Sequence, residues 1–107
     1  LPAPIDVLPA VADAVGGKAE LVYDSGVRSG VDAARAVALG ADAAFAGKAF
    51  LWSLGALGEK GPAHLIDVLI DDVSATLGQL GCRNVDELRQ IAVRHPRAYA
   101  AADFEGR

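Results

Sequence analysis

The chain has 107 residues, 52% of them hydrophobic and 22% charged, so it is built to bury surface and is not a disordered segment. Ten Lys and Arg stand against fourteen Asp and Glu, a formal charge of −4 that lacks the basic face nucleic acid requires. No apolar run reaches the roughly 18 residues of a membrane span, and Cys82 is the single cysteine, which excludes an internal disulfide and a multi-cysteine metal site.

The first helix is expected to begin between Pro4 and Asp6, with Pro9 inside its first turn, where backbone N–H groups have no intrahelical partner. Ile5, Leu8, Val11, Ala12 and Val15 repeat at helical spacing, and Gly16-Gly17 ends the run. Ala19 to Tyr23 follows a glycine turn as a short apolar run and reads as a buried strand. Asp24 to Gly30 is a glycine-containing loop. Ser29 and Asp32 form a helix-start signal, and the helix runs to about Leu39 before Gly40 closes it. Ala43 to Gly47 reads as a second buried strand, and Phe50 to Ala56 as a short helix interrupted at Gly58 to Pro62. A longer helix carries Leu65, Ile66, Leu69, Ile70, Val73, Leu77 and Leu80 on one stripe. Asn84 and Glu87 resemble a capping box for a last helix through about Val93, and His95-Pro96 stops it.

Strands alternating with helices mean α/β architecture with a parallel sheet. Two strands do not complete a sheet covered on both faces, and a whole (β/α)8 barrel takes about 250 residues. The pattern therefore fits the C-terminal portion of a (β/α)8 barrel, about its last two strands with their helices, plus C-terminal helices. Residues 1–107 would be part of one domain. The opening at Leu1, not Met, leads to the expectation that an N-terminal part belongs in front of it.

The chemistry is concentrated where the two strands end. Asp24-Ser25-Gly26-Val27-Arg28-Ser29-Gly30 leads from a strand into a helix, on the functional face of such a barrel. Gly26 and Gly30 let a backbone approach a ligand closely, and Arg28 can grip a phosphate with two parallel hydrogen bonds. The second strand ends at Gly47-Lys48, with a backbone N–H and a positive charge. Taken singly, each feature has an ordinary explanation: a glycine turn, a surface ion pair, a solvated strand-end lysine. Together they describe a phosphate site where barrel enzymes commonly place one.

These two loops, with Ala36-Val37-Ala38-Leu39-Gly40-Ala41 between them and Ala49-Phe50 after them, resemble the phosphate region of the FMN-dependent 2-hydroxy-acid oxidase and dehydrogenase family. Glycolate oxidase, lactate dehydrogenases of the flavocytochrome type and mandelate dehydrogenase are of this kind. Pro4-Ile5-Asp6-Val7-Leu8-Pro9 is similar to the segment after that family's catalytic loop. Leu69-Ile70-Asp71-Asp72 and Leu77-Gly78-Gln79-Leu80-Gly81 are similar to its last barrel helix. The resemblance implies oxidation of an L-2-hydroxy acid to a 2-keto acid by a parent enzyme, with FMN as cofactor. It implies that Asp24, Ser25, Gly26, Val27 and Arg28 line the ribityl phosphate, that Asp24 holds a ribityl hydroxyl, and that Gly47 and Lys48 complete the pocket. Lys48 departs from the family's usual arginine, keeping the charge without the bidentate fork.

The family's histidine base and its substrate-binding arginine belong to a Ser-Asn-His-Gly-x-Arg loop, which would precede Leu1. No residue of these 107 is therefore expected to be catalytic, and the segment alone is expected to be inactive. His64, His95, the Asp67/Asp71 pair, Asp71-Asp72 and Cys82 read as packing or solvated positions. Phe50 and Trp52 read as core or subunit-contact residues, with flavin stacking as the second reading. The resemblance further implies a homo-oligomer, a tetramer in many relatives, and a cytoplasmic location, including a peripheral one at the inner face of a membrane. Two alternatives stay open: another phosphate-binding barrel of the isopentenyl diphosphate isomerase or inosine monophosphate dehydrogenase type, and a non-catalytic phosphate-binding or assembly module.

Overall fold

A computed structural model describes residues 2–91 and 95–99. Helix α1 spans Pro4–Val15, strand β1 Val22–Asp24, helix α2 Gly30–Ala38 and strand β2 Ala43–Phe45. Helix α3 spans Lys48–Leu57, a 3-10 turn Gly58–Lys60, helix α4 Gly61–Leu80, and a second 3-10 turn Val85–Gln90. The two strands pair in parallel, Val22 with Ala43, Tyr23 with Ala44 and Asp24 with Phe45. Parallel neighbours need a crossover, and α2 makes it.

Side chains alternate across a strand, and here the alternation divides a covered face from a bare one. Tyr23 and Ala44 pack on the cluster of Leu8, Ala36 and Ala41, together with Ile5, Leu21 and Leu39. Val22 and Phe45 face the other way and stay 44% and 59% exposed. Both strands are thus shorter than their apolar runs, and they are buried on one face only. The buried strands expected from sequence need a second layer that these residues do not contain.

Helix α2 is the shared wall of two small cores. Ala36 joins the cluster against α1 and the strands. Ala34 and Val37 pack with Leu88, and Leu77, Cys82 and Ile91 complete that second cluster. At Gly30 the α2 backbone runs against α4: a Cβ there would lie 2.5 Å from the Val73 backbone nitrogen. On α4, Ile66 and Ile70 stay about half exposed, so its apolar stripe is only partly used. No helix among the described residues is long and apolar enough to cross a membrane.

The C-terminal region differs from its expected form. The start signal is real: Asn84 Oδ1 accepts from the Glu87 N–H at 3.0 Å, and Glu87 Oε2 accepts from the Arg83 N–H at 2.9 Å. The segment that follows is a six-residue 3-10 turn and not an α-helix. It is anchored by one fully buried side chain, Leu88, and at six residues it is longer than most 3-10 runs. The stretch expected to carry the helix through Val93 includes residues 92–94, outside the described residues. Beyond it, His95 Nε2 lies 2.7 Å from Asp6 Oδ1, and the Tyr99 N–H donates to the Asp6 carbonyl at 2.8 Å. These two contacts fasten the tail to the first turn of α1.

Replacing Gly30 with Ala is expected to destabilise the complete protein by about 1–3 kcal/mol, because the new methyl meets backbone that has no rotamer to change. Urea unfolding of Gly30→Ala beside the parent checks this; coincident curves would contradict the close crossing.

Candidate phosphate site at the strand ends

Because β1 and β2 run parallel, their C-terminal ends lie side by side and both following loops emerge at the same edge. A cavity of about 410 Å³ opens there. Its walls are Asp24, Ser25, Gly26, Val27 and Arg28 from the first loop and Phe45, Gly47 and Lys48 from the second. All seven residues singled out from the sequence therefore meet in one pocket. Phe45 is the addition. The apolar run marked it as strand, and only the position of the strand end, two residues earlier than expected, turns it into a pocket wall.

The first loop is shaped by two successive residues at positive φ, Ser25 at 109° and Gly26 at 72°. Glycine adopts that geometry readily, but a serine there carries strain of about 1–3 kcal/mol, of the kind that gathers at ligand-binding turns. Val27 is buried and pegs the loop to the body. Its neighbour Arg28 is left facing outward at the pocket. The Arg28 guanidinium lies over the Trp52 ring, 5.2 Å from its centroid. Trp52 is 55% exposed, so it is not the core residue its size implies.

Two helices begin at this edge, and they are not equivalent. The α2 N-terminus is already occupied by carboxylates. Asp72 Oδ2 accepts from the Gly30 N–H at 2.6 Å, Asp32 Oδ2 accepts from the Arg28 N–H at 3.0 Å, and Ser29 Oγ accepts from the Asp32 N–H at 3.2 Å. Asp72, read from sequence as part of a solvated polar face, is thus a long-range helix cap. Its role was hidden because its partner lies 42 residues away. At α3, Gly47 is the N-cap, no side chain caps the helix, and its first turn holds no acidic residue. Free N–H groups and the positive end of the helix dipole make such a terminus attractive to anions.

The cations fit the same reading. Arg35, Arg83 and Arg89 each pair with a carboxylate, whereas among the described residues neither Arg28 nor Lys48 has such a partner. Both line the pocket, with Asp24 the one carboxylate among its walls. A phosphate dianion requires that combination: two cations, open backbone N–H groups and a glycine turn it can approach. Asp24, at the end of β1, adds an acceptor for a hydroxyl. The pocket holds no histidine or cysteine, and no group of His, Cys, Asp and Glu among the described residues could hold a metal ion.

On the other side of the first loop lies a second cavity of about 310 Å³, walled in part by Tyr23, Ser25 and Arg35. Burial holds the Tyr23 phenol above its ordinary pKa, and the negative charges of Asp32, Asp6 and Asp24 push it the same way.

A parallel strand pair with a polar pocket at its carboxyl edge is the place where α/β folds commonly bind ligands. The chain matches the FMN-dependent dehydrogenases over residues 1–95, and it belongs to that family. It is 42% identical over 94 residues to 2-hydroxyacid oxidase 1 of Mus musculus, covering 88% of this chain and 25% of that protein. It is 44% identical over 81 residues to an L-lactate dehydrogenase of Bartonella quintana (strain Toulouse), covering 76% of this chain and 21% of that one. A pre-mycofactocin synthase of Mycobacterium tuberculosis (strain CDC 1551 / Oshkosh) is 40% identical over 98 residues, 92% of this chain and 25% of that protein. Among solved structures, a mandelate oxidase variant with a monooxide FMN adduct superposes with a TM-score of 0.80 at 36% identity, over 84% of this chain and 29% of that one. The chain thus spans about a quarter of the length of the relatives it matches.

Removing the Asp72 cap should leave the Gly30 N–H unpaired. Asp72→Ala is expected to cost about 1–3 kcal/mol, and Asp72→Asn, which keeps an acceptor oxygen, less; chemical unfolding of the two variants gives the order. Tyr23 sets a pH dependence. Its folded pKa is raised, so its contribution to stability is complete below the unfolded phenol value of about 10 and is lost as pH rises through the folded value. Tyr23→Phe should therefore flatten the alkaline fall of the urea midpoint, and an unchanged fall would contradict the assignment.

Proposed function

We propose that this segment forms the last two strands of a (β/α)8 barrel and grips the phosphate end of FMN, in an enzyme that oxidises an L-2-hydroxy acid to a 2-keto acid. The observation that carries the reading is the single pocket in which Asp24, Ser25, Gly26, Val27, Arg28, Gly47 and Lys48 meet. When bound, FMN accepts the hydride equivalent released from C2 of the substrate. Arg28 would hold the phosphate through its guanidinium N–H groups, which suit a bidentate pair. Lys48 and the α3 N-terminus oppose the remaining charge. Gly26 lets the loop backbone close on the phosphate, and Asp24 accepts from a ribityl hydroxyl. Lys48 acts as a point charge without a planar fork, so it adds attraction but little orientation.

The bare face of the strand pair supports the barrel. Val22 and Phe45 are exposed on it, an apolar surface suited to the interior of a barrel that residues outside these 107 would complete. The proton-abstracting and carboxylate-holding groups belong to those residues. The relatives favour the same division. An oxidase, a lactate dehydrogenase and a pre-mycofactocin synthase share this segment at similar identity. Read as the cofactor end, the segment encodes neither the substrate side chain nor the final electron acceptor. Ile66 and Ile70, one turn apart on α4, are about half exposed and support a homo-oligomer, a tetramer by family likeness. The unpaired Cys82 is in keeping with a cytoplasmic enzyme, with peripheral association at the inner membrane face as a variant of that reading.

Arg28→Ala in the complete protein is expected to weaken FMN binding about ten- to a hundred-fold, the loss of a hydrogen-bonded charge pair. Riboflavin, which lacks the phosphate, should bind the variant and the parent equally. Fluorescence titration of the apoprotein with both flavins measures this. A complete protein that neither purifies with flavin nor takes it up would overturn the proposal.

A further inference from the structure

Trp52 lies on α3 four residues after Lys48, so the two share one face of that helix. Its ring carries the Arg28 guanidinium at 5.2 Å, within cation–π range. The two residues come from different strand ends, Arg28 from the loop after β1 and Trp52 from the helix after β2. The contact therefore ties together the two walls of the pocket.

How Arg28 is held matters chemically. Arg35, Arg83 and Arg89 are held by carboxylates. A carboxylate at Arg28 would occupy its N–H donors and cancel its charge. An aromatic ring attracts the cation without taking up those N–H donors. The five N–H groups lie in the guanidinium plane and stay available at its rim. Trp52 is half exposed, so the ring is placed where it can serve as a platform without being part of a core.

We propose that Trp52 is a positioning residue for Arg28, holding the guanidinium at the pocket by cation–π attraction so that its N–H groups stay free to meet a phosphate dianion. This rests on the FMN reading above. Trp52 acts through Arg28, and so its effect should be confined to ligands that carry the phosphate.

The test uses the complete protein, stripped of flavin and titrated with FMN and with riboflavin. Trp52→Leu is expected to weaken FMN about two- to five-fold and leave riboflavin unchanged. Trp52→Phe, which keeps a π face, should recover part of that loss. In an Arg28→Ala background, Trp52→Leu should have no further effect, since no guanidinium remains to be held. Should the leucine variant not fold, Trp52→Gln suits the exposed position and is read in the same way. The inference fails if Trp52→Leu binds FMN as the parent does while Arg28→Ala does not, if FMN and riboflavin weaken together, or if the two losses add in the double variant. A parent protein that binds no FMN removes the FMN reading and this inference together. That result is visible before any substitution is made, so the two failures are distinct.

Discussion

The backbone of α2 runs against the backbone of α4 at Gly30, closer than any side chain would allow. Asp72 closes the same contact by accepting the Gly30 N–H at 2.6 Å. The consequences spread outward from there. Helix α2 is fixed between α1 and α4, its alanines fill both small cores, and the loop before it is held at the pocket edge. The same carboxylate occupies the N-terminus of α2. With Asp32 beside it, an anion finds negative charge there, and the neighbouring start of α3 is the terminus that remains open.

The pocket is therefore asymmetric in charge, although two helices of similar kind begin beside it. One start is acidic and capped from within the chain. The other is bare, preceded by Gly47 and followed by Lys48. Arg28 bridges the two, its backbone N–H donating to Asp32 on the acidic side and its guanidinium lying over Trp52 on the other. A site for a phosphate dianion needs such uneven placement, because carboxylates distributed around it would cancel the cations.

Much of the fold is legible in the residues. Gly16-Gly17, Ser29 and Asn84 mark helix boundaries through local backbone chemistry, and each boundary lies at or beside the residue that signals it. The seven pocket residues are legible for a similar reason, since a glycine and a cation directly after an apolar strand run form a local pattern. The strand lengths are not legible. Apolar runs at Ala19–Tyr23 and Ala43–Gly47 mark burial, but pairing is limited to the three residues that have partners in register. The 3-10 winding of Val85–Gln90 is likewise not legible.

The amino-acid sequence by itself determined the order of helices and strands, the two ligand loops and the family likeness, because caps, turns and periodicity act over a few residues. Tertiary structure decided that Asp72 caps a helix 42 residues away, that Trp52 supports Arg28 and does not fill a core, and that Phe45 walls the pocket. Each of these depends on which backbones approach one another across the fold. That approach is set by packing between α2, α3 and α4, and no window of neighbouring residues contains it.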